Sequence, residues 1–359
     1  MPAAPTVLLT GASGVLGTAI SQELAHCHVI ALTHRAPCPT ADEQITGDLT
    51  APYLGLDRAS YAALASRVDT VVHGAAVTGF AEGPSATHRL NESGTRRMLE
   101  FAADAGAVLH HLSTAFVARH DLTRANLGRD AGDATARPED YLDSKRAAEA
   151  AIRDSGQPAV IVRPSVVIGD SVTGEISAFQ GMHGIIHALL RGLLPLVPVP
   201  GPSRVDFVPC DVVARAVAAL VTEGRSRGEV WLTAGESAPT AERLLELTAS
   251  TARHLGIDMR VPRMVGPDMI DRLIRPVFIS SLHPRARRRF DDMLAMTALF
   301  ADAEPFPSSL DRFPATAGAA SPTRVEAAYV ASVAHLARAR KLIPAAAAVP
   351  ACQREVPVG

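Results

Sequence analysis

The sequence of 359 residues has little cysteine and little net charge. Its four cysteines form no CxxC pair, so the spacing of zinc and redox sites is missing and ordinary thiols in a reducing compartment are expected. The 35 Lys and Arg nearly balance the 37 Asp and Glu, and a formal charge of −2 gives no general attraction to nucleic acid. We therefore expect no metal and no nucleic-acid partner.

Long hydrophobic runs are missing as well. No stretch reaches about 18 uninterrupted apolar residues, the length of a membrane-spanning helix, and the first residues have no basic stretch typical of a secretory signal. These absences predict a cytoplasmic protein without a membrane span. The hydrophobic content of 47% nevertheless excludes a disordered chain. The length indicates about two domains, or one large α/β unit with a smaller lobe.

Short apolar runs alternate with helical patterns over the first two thirds of the chain. Runs such as Val7-Leu8-Leu9 and Val160-Ile161-Val162 are continuous, which is typical of strands buried on both faces of a parallel sheet. The predicted strands are Thr6–Thr10, Val29–Thr33, Thr70–His73, Val108–Ser113, Ala159–Arg163 and Val230–Thr233. Helices are predicted between them at 15–25, 61–66, 93–105, 141–155 and 211–221. This order predicts an α/β fold with a Rossmann-type doubly wound parallel sheet.

The rest of the chain falls outside this alternation. We assign residues 1–170, with 205–235 returning, to the Rossmann-type core. Residues 171–204, rich in Gly and Pro, and 236–343, mainly helical with a short strand at Asp258–Val265, are expected to form a smaller substrate-binding lobe. The apolar residues of 171–202 suit an acyl chain and ordinary core packing equally well. Residues 344–359 are predicted to be a flexible tail.

A glycine-rich segment connects the first strand with the first helix: Thr10-Gly11-Ala12-Ser13-Gly14-Val15-Leu16-Gly17. Gly11 permits a tight turn, Gly14 lets the backbone approach a pyrophosphate, and Gly17 allows close packing of helix on strand. The helix N-terminus presents N–H groups and a partial positive charge to phosphates. We expect a dinucleotide to contact this segment; a glycine-rich turn without a ligand is the alternative.

The end of the second predicted strand indicates which dinucleotide binds. A carboxylate normally holds the ribose 2′-hydroxyl at this point, but the sequence reads Leu32-Thr33-His34-Arg35. Arg35 can pair with a 2′-phosphate instead, with His34 as a weak second contact, so the pattern favours NADP(H). Alternatively, Arg35 is a solvated surface charge.

Tyr141 and Lys145 are the candidate proton-transfer pair. Their spacing of four residues places them on one face of a predicted helix. A phenol has a pKa near ~10, and we expect the ammonium and a cationic nicotinamide to lower it. Tyr141 would then serve as a general acid during reduction. The motif alone is weak, but its place downstream of a dinucleotide loop strengthens it.

Hydroxyls at the end of the fourth predicted strand are the candidate carbonyl ligands, because ligands of such sheets bind beyond the carboxyl ends of the strands. Thr114 is the first choice and Ser113 the second, although such a hydroxyl can also satisfy the local backbone. His110 and His111 are interpreted as core or strand-edge histidines. Asn91 is predicted to be a helix N-cap.

Together these residues resemble the extended short-chain dehydrogenases, with TGxxGxxG at 10–17 and YxxSK at 141–145 as the most specific motifs. The chain is more narrowly similar to the thioester reductase and fatty acyl-CoA reductase branch, the male sterility NAD-binding proteins. That similarity rests on four segments: Leu54-Gly55-Leu56, His111 to Val117, Arg163 to Asp170 and Val205 to Asp211. The resemblance covers residues 6–235 well; Gly74-Ala75-Ala76 departs from the family, which often has Asn before the Ala.

The resemblance implies a Rossmann core, NADPH, and reduction of a thioester on coenzyme A or on an acyl or peptidyl carrier protein. It implies that Thr114, Tyr141 and Lys145 act in catalysis, with Asn91 in support and Lys145 also on the nicotinamide ribose. It places Asp48 and Leu49 near the adenine, and the remaining cofactor contacts at His73, Gly74, Ala75, Ser113, Arg163, Pro164 and Ser165.

The resulting hypothesis is hydride transfer to a thioester carbonyl, collapse to an aldehyde, and an alcohol after a second hydride. One alternative is a related dehydrogenase that acts on a sterol, a flavonoid or a nucleotide sugar. Another is a non-catalytic NADP sensor, which would have no need of Tyr141 and Lys145. The basic run His283 to Arg289 is interpreted as a solvated helix face or as a dock for an acidic carrier protein or the phosphates of coenzyme A. It lacks the interleaved aromatic residues of a nucleic-acid site.

Overall fold

The computed structural model describes residues 4–127, 135, 137–266, 269, 283–300, 302 and 304–343. The strands in these ranges are β1 Thr6–Thr10, β2 His28–Thr33, β3 Glu43–Thr46, β4 Thr70–His73, β5 Val108–Leu112, β6 Ala159–Pro164, β7 Val166–Ile168, β8 Leu196–Val197, β9 Phe207–Pro209, β10 Arg227–Leu232 and β11 Arg263–Met264.

The helices are α1 Val15–Glu23, α2 Arg58–Ala65, α3 Pro84–His88, α4 Gly94–Ala105, α5 His120–Leu127, α6 Pro138–Ser155, α7 Met182–Leu190, α8 Cys210–Thr222, α9 Ala241–His254, α10 Pro284–Thr297 and α11 Pro322–Ala339. A π-type turn at Arg89–Ser93 joins α3 to α4. A short 3-10 turn at Ala115–Arg119 follows β5.

Seven parallel strands form the central sheet in the order β3-β2-β1-β4-β5-β6-β10. The register places Thr6 beside His28 and Thr10 beside His73. The strand order reverses between β1 and β4, which creates the crevice at the carboxyl edge where ligands of such sheets bind. The predicted doubly wound Rossmann-type fold is confirmed.

Both faces of the sheet are covered, as the continuous apolar runs predicted. Along β1, Val7 and Leu9 pack with α1 and α8 on one face, whereas Leu8 packs with α2 and α4 on the other. This alternation follows from the two-residue repeat of a strand. Fully buried Phe101 anchors the second face, and burial of such a side chain contributes about 1.5–3 kcal/mol.

A second core lies beyond the carboxyl edge. It joins α7, α9 and α11 to the start of α6 through apolar residues that include Leu142, Ile186, Leu244 and Tyr329. Two of the segments that carry the family resemblance meet here, because β7 and β9 pair in parallel from Val166–Phe207 to Ile168–Pro209. These helices therefore face the edge of the sheet where the candidate site lies.

The six strands predicted for the sheet agree with the structure to within a few residues, but the short strands β3, β7, β8 and β9 were not predicted. β3 was missed because Glu43 and Gln44 make it a polar edge strand. The strand expected at Asp258–Val265 is confined to Arg263–Met264. The tail prediction, 344–359, lies outside the described residues. No helix within the described ranges is long and apolar enough to cross a membrane.

Candidate active site and cofactor cradle

The cradle is the turn between β1 and α1, and it is made of backbone. Gly11 has a φ of +69°, and a Cβ there would lie 2.6 Å from the backbone nitrogen of Ala75, on the loop after β4. A Cβ on Gly17 would lie 2.1 Å from the Gly11 carbonyl oxygen. The N-terminus of α1 has no side-chain cap, and Ser13 and Gly14 are exposed. The N–H groups of Val15 and Leu16, at the start of α1, are therefore left without a side-chain cap. Such an uncapped helix end suits a pyrophosphate.

The adenosine side of the cradle is formed by the ends of β2 and β3. Arg35 is exposed and has no ion pair or hydrogen bond within the described residues. His34 donates from Nδ1 to the Gly47 carbonyl over 3.3 Å, so only its Nε2 is left to contact a cofactor. Asp48 accepts hydrogen bonds from the Thr50 hydroxyl and backbone, which lower its pKa, and the next residue, Leu49, is buried. Asp48 is thus a carboxylate held in place by Thr50, with the charges of His34 and Arg97 nearby.

His73 is part of a hydrogen-bonded chain that connects β1, β4 and α4. The Thr95 hydroxyl donates to the Asn91 carbonyl over 2.6 Å, so its oxygen accepts from Nε2 of His73 at 3.1 Å. The Thr10 hydroxyl then donates to Nδ1 at 2.7 Å and accepts from the Ala75 backbone at 3.2 Å. Burial and the nearby Lys145 lower the pKa of His73 to about 3. Both ring nitrogens are engaged within the protein, so any cofactor contact here must come from the backbone of residues 73–75.

Asn91 is not a helix N-cap, which corrects the sequence prediction. It lies within the π-type turn, in helical backbone that continues from α3 to α4. Its side chain accepts from the Val77 backbone at 2.7 Å and donates to the Ser144 hydroxyl at 2.9 Å. The extra residue of a π turn rotates the side chain out of the helix direction, so Asn91 bonds across to α6. Asn91 therefore ties the loop after β4 to the helix that carries Tyr141.

Thr114 lies at the end of β5, where the sequence predicted it. It is buried, begins the 3-10 turn after β5, and accepts a long hydrogen bond from the Phe116 backbone at 3.3 Å. Its hydroxyl also hydrogen-bonds to the Tyr141 phenol. The neighbouring Ser113 points the other way and donates to the Glu149 carboxylate at 2.6 Å. Thr114, not Ser113, is therefore the hydroxyl that reaches the phenol.

The Tyr141 pKa differs from the sequence expectation. Burial raises it to about 12, and the hydrogen bond with Thr114 acts against that rise. Lys145 does not lower the pKa of Tyr141 as expected, because its ammonium is directed at the Leu112 carbonyl, 2.8 Å away. The phenol is thus protonated at neutral pH, which suits a proton donor. The ring is half-buried and lies 5.7 Å from that of Phe80.

Lys145 is buried beneath Tyr141 on α6. Desolvation lowers its pKa to about 8, and the nearby Glu149 carboxylate acts in the opposite direction. Intervening residues connect the lysine to the cradle. Its partner Leu112 packs against Gly74, whose own neighbour is the Thr10 carbonyl. Tyr141, Lys145 and the cradle therefore share the carboxyl edge of β1, β4 and β5.

The segment Arg163-Pro164-Ser165 ends β6 and is buried. Arg163 is engaged by the protein itself: it donates to both oxygens of Glu149, at 2.9 and 2.6 Å, and to Glu229 at 2.7 Å. Its guanidinium also stacks over the Trp231 ring. The predicted cofactor contact at Arg163 would thus have to come from its backbone.

Sequence reasoning missed Glu149, Ser144 and Thr95. Each is buried and bonds to a predicted site residue. A signal was available for Glu149, because it repeats the four-residue spacing of Tyr141 and Lys145 on the same helix face. His110 and His111 are buried, as interpreted. Within the described ranges, no three His, Cys, Asp or Glu side chains come together as a metal site would require.

Three kinds of comparison show which known proteins this chain is similar to. The model of the family described as "Male sterility protein" matches residues 42–217. The hybrid PKS-NRPS synthetase pvhA of Talaromyces variabilis is 28% identical over 233 residues, and the fusarin C synthetase of Gibberella moniliformis is 30% identical over 244 residues. Each alignment covers 60% of this chain but 6% of the synthetase.

Solved structures give the same result over nearly the whole chain. The terminal R domain from the myxalamid PKS-NRPS biosynthetic pathway superposes with a TM-score of 0.67 at 21% identity, covering 95% of this chain and 92% of that domain. The reductase (R) domain of a nonribosomal peptide synthetase from Mycobacterium tuberculosis gives a TM-score of 0.60 at 20% identity, covering 94% and 93%. At identities this low, the superpositions show a shared fold and nothing further.

The family segment at 42–217 contains Asn91, Thr114, Tyr141 and Lys145, and it begins directly before β3. Residues 42–217 are thus similar to the male sterility NAD-binding family, which indicates an NAD(P)-dependent oxidoreductase, and the chain shares the fold of the R domains of PKS-NRPS and nonribosomal peptide synthetases.

Proposed function

We propose that this protein is an NADPH-dependent reductase of acyl thioesters, carried on coenzyme A or on a carrier protein, with an aldehyde as the first product. The observation that carries the proposal is the Thr114–Tyr141 hydrogen bond, on a helix where Lys145 follows one turn later. The likeness to R domains supports the thioester as substrate, since those domains act within PKS-NRPS synthetases.

The residues present fit a dinucleotide. A Cβ at Gly11 or Gly17 would collide with backbone, so the sequence keeps this turn bare and the helix end uncapped. Arg35 is available for a 2′-phosphate, which favours NADP(H) over NAD(H). When bound, the reduced nicotinamide supplies the hydride.

The chain's own residues manage the oxygen and the proton. Thr114 and Tyr141 bring two hydroxyls together, and these can stabilise the negative charge that would develop on the substrate oxygen during reduction. Because its pKa is about 12, Tyr141 is protonated and can donate to that oxygen. Lys145, whose ammonium donates to the Leu112 carbonyl at the same sheet edge, would hold the nicotinamide ribose. The resulting hemithioacetal then releases a thiol and leaves the aldehyde.

We assign the substrate to the lobe formed by residues 171–204 and 236–343, as the sequence indicated. The described core of this lobe is apolar and adjoins the start of α6, where Phe80 and Leu142 lie close to Tyr141. Such a lining suits the acyl chain of a thioester better than the polar rings of a nucleotide sugar.

The test follows NADPH absorbance with three sets of compounds: acyl-CoAs of increasing chain length, acyl-pantetheines and carrier-bound thioesters. Free carboxylic acids, ketones and nucleotide sugars serve as comparison substrates, and a carbonyl trap separates aldehyde from alcohol. We expect oxidation of NADPH with thioesters and aldehyde in the trap. Turnover of a ketone or nucleotide sugar with none of any thioester would replace the proposal with the rival dehydrogenase. A protein that binds NADPH but turns over nothing would favour the sensor.

A further inference from the structure

Glu149 lies at the centre of a buried network behind the candidate site. It is 0% exposed, and four hydrogen bonds converge on its carboxylate. Ser113 donates to one oxygen at 2.6 Å and Nε of Arg163 to the same oxygen at 2.9 Å. Arg163 and Arg153 donate to the other oxygen, at 2.6 and 2.8 Å.

This carboxylate is ionised despite its burial. Desolvation by itself raises the pKa of Glu149, but the hydrogen bonds from Arg163 and Ser113 and the positive charge of Arg163 outweigh it, and the pKa is lowered. Separating this buried anion from its arginine partners would leave an uncompensated charge in the interior, which costs several kcal/mol, so the network holds its groups in place. The network continues to Glu229 on β10, which accepts further hydrogen bonds from both arginines at its more exposed end.

The position of Glu149 connects it to the reacting groups in two ways. It follows Lys145 by one turn on α6, and its negative charge acts on the ammonium. Its partner Ser113 stands between Leu112, whose carbonyl receives the ammonium, and Thr114, whose hydroxyl reaches the phenol. The same carboxylate thus acts electrostatically on Lys145 and accepts a hydrogen bond from Ser113, directly after β5.

The other groups around Lys145 bring no negative charge. His73 on β4 and His111 on β5 face it, and desolvation keeps both imidazoles neutral by lowering their pKa. Tyr141, on the same helix, is protonated at neutral pH. Within the described residues, Glu149 is therefore the anion whose charge favours the ammonium form of Lys145.

We propose that Glu149 is a positioning residue for the reduction: it balances the charge of Lys145 one turn away and ties the strand end that carries Thr114 to the helix that carries Tyr141. The inference rests on the proposed catalytic roles of those three residues.

The first test needs no turnover. The sequence contains two lysines, Lys145 and Lys341, so selective isotope labelling of lysine gives two side-chain NMR signals that Lys341→Arg assigns. The signal of Lys145 should titrate near pH 8 in the wild type. Glu149→Gln should move this midpoint down by about one unit or more, since an opposite charge nearby is lost. Glu229→Gln, which removes a carboxylate from the far end of the same network, should leave it in place.

The second test addresses the tie to the strand and still works if Glu149→Gln does not fold. Ser113→Ala keeps the carboxylate but removes its bond to β5. We expect kcat to fall about tenfold with KM and the Lys145 midpoint unchanged, because small misplacements of reacting groups are costly. Ser155→Ala, which removes a hydroxyl at the far end of α6, serves as the control and should retain the wild-type kcat.

Each outcome has one meaning. Equal Lys145 midpoints in Glu149→Gln and Glu229→Gln, or a wild-type kcat in Ser113→Ala, would overturn the role of Glu149. Failure of the wild type to reduce any thioester would instead refute the proposed function, while the NMR titration would still report on Glu149 and Lys145.

Discussion

Two buried phenols, one in the core and one in the lobe, have nearly the same electrostatic surroundings. Burial raises the pKa of Tyr141 and of Tyr329 to about 12, and each phenol has a threonine hydroxyl as its hydrogen-bond partner. Tyr329 bonds to Thr248 at 2.8 Å and packs on Phe207, with no lysine beside it. A raised phenol pKa therefore does not by itself identify a catalytic tyrosine. Tyr141 differs in its half-buried ring, the ammonium one turn away and the adjoining cradle.

The largest expected effect separates the two phenols directly. Tyr141→Phe should lower kcat by about 10²–10⁴, because a proton donor is lost, while NADPH binding is retained. Tyr329→Phe removes an equally buried hydroxyl and should leave kcat near the wild-type value, at a cost of about 1 kcal/mol in the free energy of unfolding. Kinetics with the best thioester and thermal unfolding of both variants provide the measurement. Equal losses of kcat in the two variants would erase the distinction.

Two helical glycines extend the comparison from side chains to backbone. In α1, Gly17→Ala places a Cβ 2.1 Å from the Gly11 carbonyl oxygen, so we expect a loss of about 1–3 kcal/mol in stability and at least about tenfold weaker NADPH binding. In α7, a Cβ on Gly184 meets nothing within 4 Å, and Gly184→Ala should stabilise by up to about 1 kcal/mol. Calorimetric unfolding and NADPH titration test both. Wild-type cofactor affinity in Gly17→Ala would show that the turn does not form the cradle.

The pH dependence of kcat tests the role of Lys145, the neighbour that distinguishes Tyr141 from Tyr329. Lys145 has a pKa of about 8 in the folded protein, below its ordinary 10.5, so kcat should fall about tenfold per pH unit above 8 as the ammonium is lost. Lys145→Arg should lower kcat but remove this alkaline limb. An unchanged limb in that variant would assign it to another group.

The same shift has the opposite effect on stability. Between pH 8 and 10.5 the unfolded chain holds the Lys145 proton and the folded protein does not, so the contribution of Lys145 to the free energy of unfolding rises with pH in that window. The pKa of Cys210, raised to about 11, acts against it above pH 9. The wild type should therefore be compared with Lys145→Met between pH 8 and 9.

A smaller effect is expected at the cofactor's 2′-phosphate. Arg35→Ser should reduce the preference for NADPH over NADH by about tenfold, since one charge-assisted bond is lost, with KM for the thioester unchanged. Arg96→Ser, at another exposed arginine of the core, is the control. If Arg35→Ser keeps the wild-type preference for NADPH over NADH, Arg35 is only a solvated surface charge.

The smallest effect concerns the lobe. Arg288 is exposed and Arg287 half-buried on α10, and reversing both to Glu should raise KM for a carrier-bound thioester about threefold to tenfold. KM for the acyl-pantetheine, which lacks the carrier, should not change. Equal values for the carrier-bound substrate would rule out docking at this helix.

The local features of the core could be predicted because neighbouring residues determine them. The strand Thr6–Thr10, the glycine turn and the start of α1 follow from a pattern within one stretch of chain. The pairing of Tyr141 with Lys145 on one helix face likewise depends on spacing alone. The π-type turn at Arg89–Ser93 could not be predicted in this way, and with it Asn91 was wrongly placed at a helix start.

Residue types, their spacing and the runs between them were enough to determine the doubly wound sheet, the bare cradle and the helix with its phenol and lysine. Only the tertiary structure decided the direction of the Tyr141 pKa shift, the carboxylate partners of Arg163 and the place of Glu149 beneath the site. The reason is physical: backbone propensity acts between near neighbours, whereas desolvation and buried ion pairs depend on groups such as Ser113, Glu149, Arg163 and Glu229, which meet only when β5, α6, β6 and β10 come together.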